Sequence, residues 1–325
     1  MDPSTLFQDP LVDLGDEDER LRGIHALRGS AFGAAAGVTS QFLEDAGQYH
    51  QRYFDTSYWS WVIGRALERI GDDAKPRTIL DIGSGSGNSV FPMAERFPDA
   101  QIVATDVSPQ LLSILRDFLR GRADAERFAL VCVDATQARY RENVADLAIG
   151  AAILHHLLEP ERVLAACHTA LAPGGWALFF EPFQAGNLLL TVTYQRILDH
   201  ATIVESESAG MRLLDRMVRD YFMRVRPRGD PVFETIDDKW MFTRAYFDRV
   251  AREQGWGEVI TYALHAAPNG LRNQAEVHLR LGAGLPAEAL PAWAWSMLDE
   301  TDAGMSDDLR LELAQEAAVL LRKPG

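Results

Sequence analysis

The sequence predicts an α/β protein with a doubly wound, seven-stranded and mainly parallel sheet. Three observations carry this expectation. Between residues 77 and 182, strand and helix signals alternate with a period of about 25 residues, as parallel βαβ units do. The first three strands of that run each end on or beside an aspartate, at the carboxyl edge where open α/β sheets bind ligands. Finally, 47% of the 325 residues are apolar, enough for a large core.

The first strand lies in Arg77-Thr78-Ile79-Leu80-Asp81-Ile82 and runs straight into Gly83-Ser84-Gly85-Ser86-Gly87-Asn88. A second, 101–105, ends at Asp106, and Ser108 caps the next helix with Pro109 in its first turn. Leu111, Leu112, Leu115, Phe118 and Leu119 give that helix one apolar face. A third strand, 128–133, ends at Asp134. A fourth, 144–149, leads into Gly150-Ala151-Ala152-Ile153-Leu154-His155-His156. The helix 160–171 turns Val163, Leu164, Cys167 and Leu171 inward. Ala172-Pro173-Gly174-Gly175 then starts a fifth strand, 176–180, followed by Glu181.

Residues 184–242 interrupt the rhythm with two amphipathic stretches and a break at Pro227-Arg228-Gly229-Asp230-Pro231. A helix at 243–254 and strands at 259–263 and near 275–281 complete the seven. The chain therefore divides into an N-terminal helical cap (1–75), a core (76–183 and 243–282), a helical lid (184–242) and C-terminal helices (283–325). Those last helices are expected at 286–298 and 306–321. The second offers Leu309, Leu313, Ala317, Leu320 and Leu321 to its own domain or to a second copy in a homodimer.

The 47 acidic side chains outnumber the 32 basic ones, for a formal charge of −15. Affinity for a phosphate backbone comes from Lys and Arg displacing counterions, so nucleic acid is disfavoured as a partner. Cys132 and Cys167 show no CxxC or Cys/His spacing and read as small buried hydrophobes. The N-terminus carries the acidic run Asp16-Glu17-Asp18-Glu19 in place of a basic, apolar leader. No apolar run approaches the ~20 residues that span a bilayer. A cytoplasmic protein without a membrane partner is expected.

Glycines at 83, 85 and 87 let the backbone turn tightly and present N–H groups to a ligand. A GxGxxG turn would suggest a dinucleotide with its pyrophosphate on the helix N-terminus. Here the third glycine comes one residue early, and Asp81 stands two residues before the first. A carboxylate there repels pyrophosphate and suits a ligand with a cationic amino-acid end. About 20 residues beyond Gly85, Asp106 is placed to accept both hydroxyls of a ribose. Asp134-Ala135 is placed to take an adenine amino group.

With Leu171-Ala172-Pro173-Gly174-Gly175, these strand ends resemble the class I (Rossmann-fold) S-adenosylmethionine (SAM) methyltransferases of the small-molecule type. The resemblance covers about 76–183 and, more weakly, 243–281. It implies SAM as cofactor, with Asp81, Gly83, Ser84, Gly85 and Gly87 at its methionine end. It places Asp106 at the ribose and Asp134 at the adenine. Asn88, Val107, Ala135, Gly150 and Ala151 line the same site, and Tyr49, His50 and Tyr53 stand where the N-terminal helices close over it.

The implied reaction is methyl transfer to an oxygen, with carbon second, of a small, partly apolar molecule by in-line displacement. A sulfonium methyl is already activated. The protein must align the nucleophile, exclude water and remove a proton where the nucleophile carries one. His155, His156 and Glu181 are the candidate catalytic groups, histidine because its pKa lies near working pH. Positioning of an already acidic acceptor competes with base catalysis. Each aspartate alone is also an ordinary strand-end or cap residue. The side chains Phe222, Met223, Trp240, Met241 and Phe242 of the lid favour an apolar acceptor.

No Asn/Asp-Pro-Pro-aromatic motif and no Pro-Cys pair follows the fourth strand, which argues against adenine, amide-nitrogen and cytosine C5 acceptors. No Asp-plus-Asp-Asn set implies a metal. Three alternatives stand beside this reading. An inactive SAM-fold scaffold is opposed by the intact Asp81, Gly83, Gly85 and Asp106. An aminopropyl transferase on the same fold lacks a polyamine-binding signature. An NAD-dependent dehydrogenase is opposed by the glycine spacing.

Overall fold

The computed structural model describes residues 2–28, 45–71 and 75–325. Nine strands form one sheet: β1 (Leu11–Asp13), β2 (Ile24–Leu27), β3 (Thr78–Ile82), β4 (Gln101–Asp106), β5 (Phe128–Cys132), β6 (Ala145–Ala151), β7 (Leu171–Pro182), β8 (Glu258–Ala263) and β9 (Glu316–Arg322). Their spatial order is β1-β2-β5-β4-β3-β6-β7-β9-β8. The strands from β2 to β7 pair in parallel, whereas β9 runs antiparallel to both β7 and β8, and β1 to β2. The order reverses between β3 and β6, and the crevice of a doubly wound sheet opens at the carboxyl ends of those strands.

The helices are α1 (Ala46–Tyr53), α2 (Thr56–Ile70), α3 (Val90–Arg96), α4 (Pro109–Leu119), α5 (Pro160–Ala170), α6 (Gln184–Ile203), α7 (Ala209–Arg224), α8 (Arg244–Gln254), α9 (Gly270–Val277), α10 (Ala292–Ala303) and α11 (Asp307–Glu312). Successive strand residues point to opposite faces, so each face of the sheet holds its own core. Leu80, Ile82 and Phe179 pack against Val163 and Leu164 of α5 and Phe247 of α8. Ile79, Ile102 and Ala104 pack on the other face, against Val62 of α2, Met93 of α3 and Leu112 of α4. A third cluster joins α6, α7, α9 and α10 through Tyr194, Leu214, Ala275 and Leu298. The segment 184–242 therefore shares its core with residues 271–298 and is not a detachable flap.

The doubly wound α/β class stands, but the structure corrects three element assignments. Two short strands, β1 and β2, extend the sheet where only helices were expected. They are too short to show an alternating pattern; pairing of β2 with β5, and of β1 with β2, is what makes them strands. The part of the expected helical cap at residues 1, 29–44 and 72–74 lies outside the described residues. The expected strand at 275–281 belongs to α9 and a π-turn at His278–Gly282. Its alternation of apolar and polar residues misleads, because the buried Leu271, Ala275 and Leu279 repeat every four residues. The expected helix 306–321 ends at Glu312, and the chain re-enters the sheet as β9. Ala317 to Leu321 are all buried between β7 and β8, which overrides the helical preference of Ala and Leu. Of the apolar face assigned there to a possible second copy, Ala317, Leu320 and Leu321 are spent inside the sheet, while Leu309 stays exposed on α11.

Candidate active site

β3 delivers Asp81 and the glycine turn to the carboxyl edge. Gly83 and Gly85 have φ of 68° and 52°, where a Cβ is strained. A Cβ on Gly83 would also strike Ile153. Ser84 N–H donates to the Thr105 carbonyl at 2.9 Å and Gly85 N–H to Asp106 Oδ2 at 2.8 Å, so the turn is tied to the end of β4. Above it opens a cleft. Of the residues expected at the cofactor, Gly83, Gly85, Asp106, Val107, Asp134, Ala135 and Ala151 line it, together with His156. Asp81, Ser84, Gly87, Asn88, Gly150 and Tyr53 do not.

Four of those outside the lining, Gly87, Asn88, Gly150 and Tyr53, have other tasks. A Cβ on Gly87 would meet Phe91 and Leu115, and one on Gly150 would meet Phe179 and Ile153, so both glycines serve close packing. Asn88 is a clip. Its Nδ2 donates to the Tyr53 carbonyl at 3.0 Å, and its Oδ1 accepts the Asp55 N–H at 2.9 Å. His50 Nδ1 adds a 2.8 Å hydrogen bond with Ser86 Oγ. These contacts fasten α1 onto the glycine turn and bring Tyr49 into the cleft wall. Tyr53 is 37% exposed and packs its ring on Tyr49, so Tyr49 and not Tyr53 faces the cleft. Asn88→Ala removes both clip bonds and is expected to cost about 1–2 kcal/mol of docking. Hydrogen exchange should then quicken over 46–55 and stay unchanged in β3 to β7.

Asp81 is fully buried, and among the described residues neither its carboxylate oxygens nor the hydroxyls of Ser84 and Ser89 in the same turn have a hydrogen-bond partner. Burial pushes Asp81 up to about 7, with Ser89 opposing and the charge of Asp106 adding to the rise. A buried carboxyl left in this state fits a ligand that brings a cation. Asp106 accepts the Gly85 and Ser108 N–H groups at 2.8 Å, one on each oxygen. Burial raises its pKa and these amides pull it back. Each oxygen retains acceptor capacity for a hydroxyl. Asp134 is more committed. Its Oδ1 accepts the Thr136 N–H at 2.9 Å and hydroxyl at 2.8 Å, and its Oδ2 accepts Gln137 Nε2 at 2.9 Å. It caps its own turn, which leaves less of it for an adenine than the sequence suggested.

β7 delivers Glu181, which is 1% exposed. Its Oε1 accepts the N–H groups of Ile153 at 3.1 Å and Leu154 at 2.8 Å. Its Oε2 accepts the His155 N–H at 3.2 Å and the His155 ring Nδ1–H at 2.7 Å. With four donors on two oxygens, Glu181 shapes the turn after β6 and orients His155. It also lines the second cleft described below. Glu181→Gln would set an amide NH2 against one or more of these donors. A loss of about 2–3 kcal/mol in stability is expected by denaturant titration.

His155 and His156 lie side by side, with ring centroids 4.0 Å apart. Burial acts to lower His155, but the carboxylates of Glu181 and Asp238 override it and lift the ring to about 9. Burial, and then the charge of His155, push His156 down to about 3. Asp238 comes from the lid. Burial acts to raise it, and the two histidines and Arg224 more than reverse that, holding it well below the usual carboxylate range. The lid is seated here by the Lys239 N–H donating to the His155 carbonyl at 2.7 Å and by Trp240 Nε1 donating to the Leu157 carbonyl at 2.6 Å.

A second cleft opens on the other side of Ala152, which lines both. Ala152 has φ of 56°, rare for a residue with a Cβ. Tyr58 and Trp59 of α2, His155, Arg224, Asp238 and Glu316 form much of this second wall. None of Phe222, Met223, Trp240, Met241 and Phe242 lines it. Phe222 is exposed and Trp240 and Phe242 lie in the main core, so the cleft is more polar than the lid composition implied. Arg224 and Asp238 escaped the sequence reading because no local spacing links them to His155.

Residues 80–179 match the family described as the methyltransferase domain. The tRNA N(3)-methylcytidine methyltransferase Mettl2 of Drosophila melanogaster is 29% identical over 145 residues, 41% of this chain and 44% of that protein. The demethylmenaquinone methyltransferase of Thermus thermophilus is 30% identical over 141 residues, 42% of this chain and 61% of that protein. The chain thus spans 44% and 61% of these relatives' lengths. A solved Haemonchus contortus phosphoethanolamine N-methyltransferase 2, in complex with phosphomonomethylethanolamine and S-adenosylhomocysteine, shares the fold. Its TM-score is 0.57 at 14% identity, over 98% of this chain and 69% of that one. The matched segment runs from β3 to β7 and contains the glycine turn and both histidines. In its matched segment and in its fold, the core of this chain is similar to the class I SAM-dependent methyltransferases.

Proposed function

We propose that the protein transfers the methyl group of SAM to an oxygen of a small molecule. The observation that carries this reading is the meeting of two clefts at Ala152. Gly83, Gly85 and Asp106 lie on one side, and His155, Arg224 and Asp238 on the other. SAM, when bound, supplies a methyl group already activated by its sulfonium. The protein's part is to hold and align. Asp81 receives the cofactor's ammonium, Asp106 its ribose hydroxyls, and Tyr49 covers the cleft from α1. His155 and His156 position the acceptor at the junction, and Glu181 holds His155 in place.

The walls of the second cleft combine charged groups with the rings of Tyr58, Trp59 and Phe180. Such a lining suits a compact acceptor with a ring or short apolar part and an ionic group. Oxygen is preferred over carbon because polar side chains can hold an oxygen nucleophile by hydrogen bonds before transfer. The charge of −15 is opposite to what a tRNA acceptor, as named for the Drosophila relative, would need. No helix among the described residues is long and apolar enough to cross a membrane. The test is incubation with methyl-labelled SAM and separate pools of phenols, small carboxylic acids, amines and total tRNA. Label is expected in O-methylated small molecules; label found only in tRNA contradicts the reading.

A further inference from the structure

The seam between core and lid gathers donors at unusual spacings. His155 Nε2 stands 3.6 Å from Asp238 Oδ1, and His156 Nδ1 stands 3.3 Å from the same oxygen. His156 Nδ1 also forms a 3.2 Å hydrogen bond with the Asp237 carbonyl oxygen, which an ion on Nδ1 would replace. A charge-assisted hydrogen bond would close to about 2.8 Å. Two ligands of one tetrahedral ion, with bonds of about 2.1 Å, stand about 3.4 Å apart. The His155–Asp238 separation is of the second kind. The ligating atoms that His155, His156 and Asp238 offer all lie within 4.8 Å of one another.

The surroundings fit as well. Behind His155, Nδ1–H donates to Glu181 at 2.7 Å. This is the outer carboxylate contact that orients a metal-bound histidine and turns its other nitrogen to the ion. In front, Arg224 Nη1 is 3.9 Å from Asp238 Oδ2, on the oxygen away from the histidines. That contact leaves Oδ1 to them. Both His155 and Asp238 face the second cleft, so one side of the cluster is open.

We propose that His155, His156 and Asp238 bind one divalent transition-metal cation of the zinc class, with the Asp237 carbonyl as a neighbouring oxygen donor. Two imidazoles, one carboxylate and an open position form a donor set suited to such ions and poorly suited to Mg2+ or Ca2+. The ion would join lid to core whichever acceptor is used, so the inference goes beyond the methyl-transfer reading. Without an ion, a protonated His155 would bridge Glu181 and Asp238 instead.

Calorimetry of chelator-treated protein with Zn2+ separates the two arrangements. One equivalent is expected to bind at micromolar Kd or tighter, with Mg2+ giving no heat. Asp238→Asn should weaken binding at least 30-fold, and Asp215→Asn, on the outer face of α7, should leave it unchanged. Co2+ loading of the wild-type protein should give the visible d–d absorption of tetrahedrally coordinated cobalt, which reads the site without any variant. Wild-type protein that takes up no stoichiometric Zn2+ overturns the proposal, as does binding that survives Asp238→Asn in a folded variant.

Discussion

Asp81→Asn is expected to weaken SAM binding at least 100-fold while making the ligand-free protein more stable at pH 8. Both effects follow from one buried carboxyl without a hydrogen-bond partner among the described residues. Its folded value of about 7 lies above the ordinary 3.8, so the folded state holds the proton more tightly than the unfolded one. Stability is therefore greatest below the ordinary value. It falls as the pH rises toward 7, by on the order of 4 kcal/mol, and stays reduced above it. Asparagine has no such titration. Denaturant curves at pH 5 and pH 8 should show the variant gaining on the wild type as the pH rises. The lost affinity is the complement, because an ammonium can satisfy an ionised carboxylate and not an amide. A hundredfold corresponds to about 2.7 kcal/mol. An Asp81→Asn variant that binds SAM as tightly as the wild type would remove the residue from the site.

Asp106→Asn should be the most damaging single change in the cofactor cleft. The two carboxylate oxygens accept two backbone N–H groups, from Gly85 and from Ser108. An asparagine can accept one of these and must turn an NH2 toward the other. The glycine turn then loses its tie to β4 and the helix start at Ser108 loosens. A loss of about 2–3 kcal/mol in stability is expected, with SAM affinity falling more than 100-fold as the ribose also loses an acceptor. Thermal unfolding with and without SAM separates the two parts. The wild type should gain Tm from the cofactor and the variant should not. A variant stabilised by SAM as much as the wild type would show that Asp106 does not hold the ribose.

The cofactor half of the site was legible because it is local. One strand, one turn and the next strand end bring Gly83, Gly85 and Asp106 together, and each leaves a mark in sequence. Tyr49 faces the cleft and Tyr53 does not, because helix phase and the Asn88 clip decide which ring turns inward. The acceptor half was not legible. Tyr58, His155, Arg224, Asp238 and Glu316 come from α2, the turn after β6, α7, the lid and β9, and only tertiary packing brings them to one wall. The same reason explains the misread elements. Residues 316–322 carry helix-forming Ala and Leu, and become a strand because both neighbours are strands. Residues 275–281 alternate like a strand and are helical because one face packs on α10 and its neighbours. Glu181 was marked by its place after β7, but its role depended on the four donors that fold around it.

We propose that the glycine turn after Asp81 holds the methionine end of SAM, with Asp106 at the ribose. Calorimetry of the wild-type protein and Asp106→Ala with SAM, S-adenosylhomocysteine and NAD tests it most directly. One site is expected for SAM and for S-adenosylhomocysteine, with no heat from NAD and loss of both bound ligands in the variant. Binding of NAD without SAM, or unchanged SAM binding by Asp106→Ala, would contradict it.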